Sequence, residues 1–290
     1  MMGIHLLLTY KCNRECDHCA FYCSPSSGGT FTARQIDQVL LEARKIGTVE
    51  WIYFEGGEPF LFHDLLLEGL EMAKELGFKT GIATNAYWAT SIEEATRLLK
   101  PISKLGVSLI GISEDLFHSN VGTDNHPAKN ATRAAEMLGI KVIPLHVKNP
   151  NWDKIPGEMG RIAFKGRAAE KLTGSLPKQP WKILTRCPNR NLRILPKVHV
   201  DPLGTVHICQ GISIGNMWET PLSELVASYD VNEHPICSAL WEGGPARMAE
   251  KFGVKHELEY VNGCHFCFSI RKKLIDEFPE YLAPRQVYGL

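Results

Sequence analysis

The segment CNRECDHCAFYC, residues 12–23, puts four cysteines (Cys12, Cys16, Cys19 and Cys23) into one loop-sized stretch. It follows a β-rich run from Ile4 to Thr9, so it occupies the loop that leaves the first strand. Four thiols so placed either close a metal off or leave it open. Which of the two holds decides whether the chain is an enzyme.

Working outward, strand-like and helix-like runs alternate. A helix begins behind Thr32, with Ile36, Val39, Leu40 and Ala43 at helical spacing. Strand patterns follow over 49–55, 78–84, 107–113 and 140–147, with helical patterns over 63–76, 91–100 and 128–138 between them. Repeated βα units mean an α/β fold with a parallel sheet, because each parallel connection needs a crossover. In such sheets the chemistry collects at the C-terminal strand ends, where the cysteine loop lies. The rhythm breaks near residue 148. The Pro- and Gly-containing stretch 148–172 is expected to hold a last irregular strand, and SLPKQPW reads as a linker. KVHVDPLGTVHIC (197–209) reads as a hairpin, and Thr220 with Pro221 as the cap and first residue of a helix.

The 290 residues suit one large domain and a smaller one. Thirty-two basic and 32 acidic side chains cancel, so no global field favours nucleic acid or an anionic membrane. No apolar run approaches the length of a membrane span, no signal peptide is recognisable, and a cytoplasmic protein is expected. In a reducing compartment nine cysteines do not make a disulfide framework; their grouping as four plus five indicates metal.

The spacing of Cys12, Cys16 and Cys19 is C-x3-C-x2-C. Three thiolates on a cubane 4Fe-4S cluster leave one iron with an open coordination site. Structural zinc, which prefers C-x2-C pairs, fits less well but stays open as an alternative. The triplet resembles the signature of the radical SAM superfamily, and further segments fall in that family's order. FEGGEPF (54–60) resembles the segment that holds the methionyl ammonium of S-adenosylmethionine, here Gly56, Gly57 and Glu58. Thr84-Asn85-Ala86 is similar to the family's Thr-Asn-Gly. Ser113 and Asp115 match positions that often contact the ribose and methionine moieties, and Arg167, in a Gly-Arg-Ala segment seen in some members, is a candidate cofactor contact whose guanidinium could pair with a carboxylate. The resemblance implies a partial (β/α)6 TIM-like barrel over residues 1–180. It also implies a reduced cluster that cleaves S-adenosylmethionine to a 5′-deoxyadenosyl radical, which removes a hydrogen atom from substrate. A low-potential donor such as flavodoxin or ferredoxin would supply the electron. Cys23 is expected to sit off the cluster, since a fourth thiolate would close the open iron.

Cys187, Cys209 and the pair Cys264-x2-Cys267 resemble the twitch version of the SPASM family, which implies a small C-terminal α+β iron-sulfur domain over 181–290 and one auxiliary 4Fe-4S cluster. A hairpin and a C-x2-C pair opening a helix let four thiolates converge. Tetrahedral zinc remains the rival. Two reactions stay open: oxidation or cross-linking of a peptide or small molecule with the auxiliary cluster's help, or epimerisation with Cys237 returning a hydrogen atom. A non-catalytic zinc-binding interaction protein is the alternative outside the enzyme class. The chain starts almost at its first strand, which tilts the expectation toward a small molecule or a leaderless peptide.

Overall fold

The computed structural model describes residues 1–115, 117–118, 126–147 and 162–290. Five parallel strands are laid down in order: β1 (Gly3–Thr9), β2 (Trp51–Gly56), β3 (Lys79–Thr84), β4 (Leu109–Ser113) and β5 (Val142–Leu145). Leu6, Leu7 and Leu8 of β1 are all fully buried, so this strand is covered on both faces. Four helices make the crossovers: α1 (Ala33–Ile46), α2 (His63–Glu75), α3 (Ile92–Lys104) and α4 (Pro127–Met137). Helix α1 starts where the sequence indicates, in a reciprocal cap. The Thr32 side chain accepts from Gln35 N, and the Gln35 side chain accepts from Thr32 N. Of the irregular strand expected in 148–172, residues 148–161 lie outside the described residues; 162–166 are not strand, and α5 (Arg167–Lys171) follows.

Beyond the two-residue β6 (Gln179–Pro180), the hairpin of β7 (Lys197–Val200) and β8 (Thr205–Cys209) turns at Asp201–Gly204. Asp201 Oδ1 accepts the N–H groups of Leu203 and Thr205, and Gly204 has the positive φ of 88° that the turn requires. Pattern alone does not show where this hairpin goes. Strand β7 lies parallel beside β1, with His5 opposite His199, and β9 (Ile212–Asn216) completes an eight-stranded sheet of order β5-β4-β3-β2-β1-β7-β8-β9. Sequence on both sides of residue 180 thus shares one sheet. A fully buried bond fixes the docking: Tyr10 Oη donates to Asp201 Oδ2 at 2.7 Å, and His207 Nε2 donates to the same oxygen at 2.9 Å.

The remaining elements are α6 (Leu222–Ser228), α7 (Pro235–Lys251), β10 (Glu259–Tyr260), which pairs with β6, and α8 (Gly263–Leu274). Pro221 is the residue before α6 rather than its first, and no side chain caps it, so Thr220 is not the cap. Helix α7 is broken at Gly243 and Gly244. A Cβ at Gly244 would lie 2.3 Å from Arg186 N, so the break lets the helix pass directly over the residue that precedes Cys187.

Candidate active site and a second cysteine site

Cys12, Cys16, Cys19 and Cys23 all line one cavity of about 320 Å³ at the C-terminal end of the parallel strands. Gly56, Gly57, Asn85 and Ser113 share its wall, drawn from the ends of β2, β3 and β4 and the loops that follow them. Asn85 Nδ2 lies 3.7 Å from Cys12 Sγ and donates to Asn13 Oδ1 at 2.8 Å. The paired glycines have a reason inside the chain itself. A Cβ on Gly56 would stand 2.5 Å from Thr9 O and one on Gly57 2.1 Å from Lys11 O, so the close approach they permit is to the cysteine loop.

Three sequence-selected residues do not line the cavity. Glu58 is fully buried and accepts hydrogen bonds from Phe60 N, Thr84 Oγ1 and Asn85 N, tying the loop after β2 to the end of β3. Burial pushes its carboxyl up to about 7 against the pull of those three donors. Asp115 accepts from His118 Nδ1, Phe117 N and Val147 N. Arg167, also buried, is directed at the cysteine loop. Its Nη1 donates to Cys16 O at 2.7 Å, its Nη2 donates to Cys23 O, and its backbone N–H reaches Cys19 O at 3.0 Å.

The thiols are suited to metal. Burial pushes Cys12 up to about 11 and Cys16 up to about 12, so ligation must release their protons. A hydrogen bond between Cys19 and Cys23 pulls the first down and pushes the second up. Arg14 Nε and His18 Nδ1 are buried without a partner, and both residues line the cavity. Orphaned donors beside three thiols fit an anionic cluster and a carboxylate- or hydroxyl-bearing cofactor.

Sequence reading overlooked a group on the same cavity. Glu55 Oε2 accepts from His5 Nδ1 at 3.0 Å and its Oε1 from His199 Nδ1 at 2.7 Å, while Lys197 Nζ donates to His5 Nε2 at 3.3 Å. His5, Glu55 and His199 have the composition of a metal site. A metal would take both Nδ1 lone pairs and force protons onto both Nε2 atoms, one of them against the Lys197 ammonium. The set is therefore read as a hydrogen-bond chain. It leaves His199 Nε2, buried and unpartnered, as a lone pair on a residue of the cavity wall. The signal lies in register, His5 opposite His199 across β1 and β7, and no local motif carries it.

The second cysteine group converges as well. Cys187, Cys209, Cys264 and Cys267 line one pocket, with Lys165, Arg190 and Arg271 around them. Asn262 caps α8 by accepting from His265 N, which places Cys264 and Cys267 in the first turns of that helix. Asn189 Nδ2 lies 2.9 Å from Cys264 Sγ and Lys165 Nζ lies 3.3 Å from Cys209 Sγ. Burial raises the Cys209 thiol, yet Lys165, Arg271 and Arg190 together bring it down to about 7. Arg271 Nε is a buried orphan donor. Four thiols with cationic donors fit a polythiolate metal centre. Cys237 is not part of either wall; it is fully buried in α7 and hydrogen-bonded to Tyr229.

A parallel α/β sheet with a three-cysteine loop at the first strand end defines a class of iron-sulfur enzyme. The family model described as the Radical SAM superfamily matches residues 6–153, just over half of the chain, and the chain belongs to that superfamily. It is 30% identical over 202 residues to the tungsten-containing aldehyde ferredoxin oxidoreductase cofactor-modifying protein of Pyrococcus furiosus, covering 63% of this chain and 54% of that one. It is 30% identical over 116 residues to the "Putative peptide biosynthesis protein YydG" of Bacillus subtilis, covering 40% and 36%. These matches span between about a third and just over half of the relatives' length. In fold it is similar to BtrN in complex with AdoMet and 2-DOIA, with a TM-score of 0.54 and 18% identity over 79% of this chain and 83% of that one. No helix among the described residues is long and apolar enough to cross a membrane.

Proposed function

We propose that the chain is a radical SAM enzyme that oxidises or cross-links a peptide or small molecule, with residues 1–180 as the radical domain and 181–290 as a twitch-like domain holding one auxiliary 4Fe-4S cluster. The observation that carries this is the convergence of Cys187, Cys209, Cys264 and Cys267 on one pocket, with Gln210, next to Cys209, on the wall of the first cavity. Cys12, Cys16 and Cys19 would hold the first cluster, and Gly56, Gly57, Asn85 and Ser113, which line the same cavity, would meet S-adenosylmethionine. Bound there, cluster and S-adenosylmethionine supply one-electron reduction and hydrogen-atom abstraction, fed by a low-potential donor such as flavodoxin or ferredoxin.

The chain's own groups support oxidation over epimerisation. Once a hydrogen atom has left the substrate, a two-electron oxidation must also shed one proton and one electron. Ionised Glu55 fixes the His199 tautomer with the proton on Nδ1, so Nε2 is the proton acceptor. Burial holds that imidazole neutral, down at about 4, and the Glu55 carboxylate beside it offsets part of the cost of taking a proton. Cys187, Cys209, Cys264 and Cys267 would hold the group able to take up that electron. Cys237, buried against Tyr229 and off the cavity wall, lends no support to a hydrogen-donor role. The printed roles of the relatives, peptide biosynthesis in one and cofactor modification in the other, suit either substrate class.

The test is turnover of candidate substrates in deuterated solvent with the wild type and Cys237→Ala. Oxidation gives one 5′-deoxyadenosine per product, a product two mass units lighter than substrate, and activity that survives Cys237→Ala. A product one mass unit heavier than substrate through a single solvent deuterium, lost in Cys237→Ala, would establish epimerisation instead.

A further inference from the structure

We propose that Lys165 is a positioning residue that sets the reduction potential of the second cysteine site and ties that site to the substrate cavity. The proposal rests on the reading of Cys187, Cys209, Cys264 and Cys267 as an auxiliary iron-sulfur site.

Lys165 is 6% exposed, too buried for an ordinary solvated lysine. Its Nζ has two partners, Cys209 Sγ at 3.3 Å and Gln210 Oε1. No carboxylate pairs with it among the described residues. A buried cation without a carboxylate needs another anion, and the four thiolates beside it are the negative charge at hand. Gln210 is held at both ends: its side chain by Lys165, and its backbone carbonyl by Arg271 Nη1 at 2.8 Å. Lys165 and Arg271 line the four-cysteine pocket, whereas Gln210 lines the first cavity. One lysine therefore joins a ligand of the second site to a wall residue of the first.

The consequence for redox chemistry follows from charge. A cluster held by four thiolates becomes more negative by one charge when it accepts an electron, and a nearby ammonium favours that state. Hydrogen bonds to the sulfurs and net charge are the protein's main controls on such potentials. Lys165 thus favours electron uptake at the second site, which an oxidation needs and a structural zinc centre does not.

The test is an EPR-monitored redox titration of the anaerobically reconstituted full chain. It is repeated with Cys12, Cys16 and Cys19 replaced by Ala so that the second-site signal is assigned. Lys165→Met is expected to disfavour reduction at least tenfold, a fall of about 59 mV or more for a one-electron couple. Lys165→Arg, which keeps charge and donor, should restore most of it. If the Met variant fails to assemble its cluster, Lys165→Gln supplies the comparison, again with a midpoint below wild type. A redox-active second site with an unchanged midpoint in the neutral variants overturns this inference alone. A wild-type second site that takes up zinc and gives no EPR signal overturns the auxiliary-cluster reading and the inference with it.

Discussion

Lys165 and Arg167, two residues apart in the chain, serve opposite cysteine sites: Lys165 Nζ lies 3.3 Å from Cys209 Sγ, and Arg167 Nη1 donates to Cys16 O at 2.7 Å. Gly166 between them makes the double reach possible. It has a φ of 56°, and a Cβ there would stand 2.5 Å from Cys19 O.

Arg167→Ala is expected to unfasten the cysteine loop. It removes two charge-assisted bonds to the Cys16 and Cys23 carbonyls, each worth about 1.5–3 kcal/mol. Iron bound at the first site and S-adenosylmethionine cleavage should both fall by more than tenfold, while the second-site EPR signal persists. Lys, with a single donor head, should not rescue it, because one ammonium cannot span both carbonyls. Iron analysis with EPR on the reconstituted variants checks this. Normal loading in Arg167→Ala would show that the loop holds its shape unaided.

Gly57→Ala tests whether the paired glycines serve the chain or only a ligand. The added methyl would meet Lys11 O at 2.1 Å, so the cysteine loop must move. Overpacking of this kind costs about 1–3 kcal/mol or more. The variant's apo form should unfold at lower denaturant than wild type. If apo stability is unchanged and only S-adenosylmethionine binding weakens, the glycines serve the ligand.

Much of this was legible in the sequence for local reasons. The βα alternation, the Thr32 cap and the Asp201–Gly204 turn each depend on residues within a few positions of one another, and each is found where pattern puts it. Cysteine spacing likewise marks the loop after β1. What pattern could not supply is pairing across long separations. The docking of β7 on β1, and with it the His5–Glu55–His199 chain, depends on a register between residues about 190 apart. Motif marks Arg167 and Glu58 as cofactor contacts, yet both are directed at the loops that frame the cavity. A motif records that a residue type is needed at a place; whether it faces ligand or backbone is a tertiary fact.

The His199 environment gives stability an acid limb. Burial depresses its imidazole from 6.5 to about 4, so between these values the unfolded chain binds a proton that the folded chain does not. Its contribution is present above pH 6.5 and is lost as pH falls toward 4. At 1.36 kcal/mol per unit this amounts to about 3 kcal/mol. Urea unfolding of the apo chain between pH 7 and pH 4 should show this loss in the wild type and a loss smaller by about that amount in His199→Gln. Parallel profiles would mean that burial does not depress the His199 imidazole in the folded chain.

Iron and sulfide stoichiometry after anaerobic reconstitution, read together with 5′-deoxyadenosine formed on reduction, tests the central claim most directly. Two four-iron sites predict about eight irons per wild-type chain and cleavage of S-adenosylmethionine. Replacing Cys12, Cys16 and Cys19 should leave about four irons and no cleavage, and Cys23→Ala should leave both wild-type values intact. A wild-type chain that binds zinc in place of iron, or that loses its first cluster on Cys23→Ala, would contradict the account.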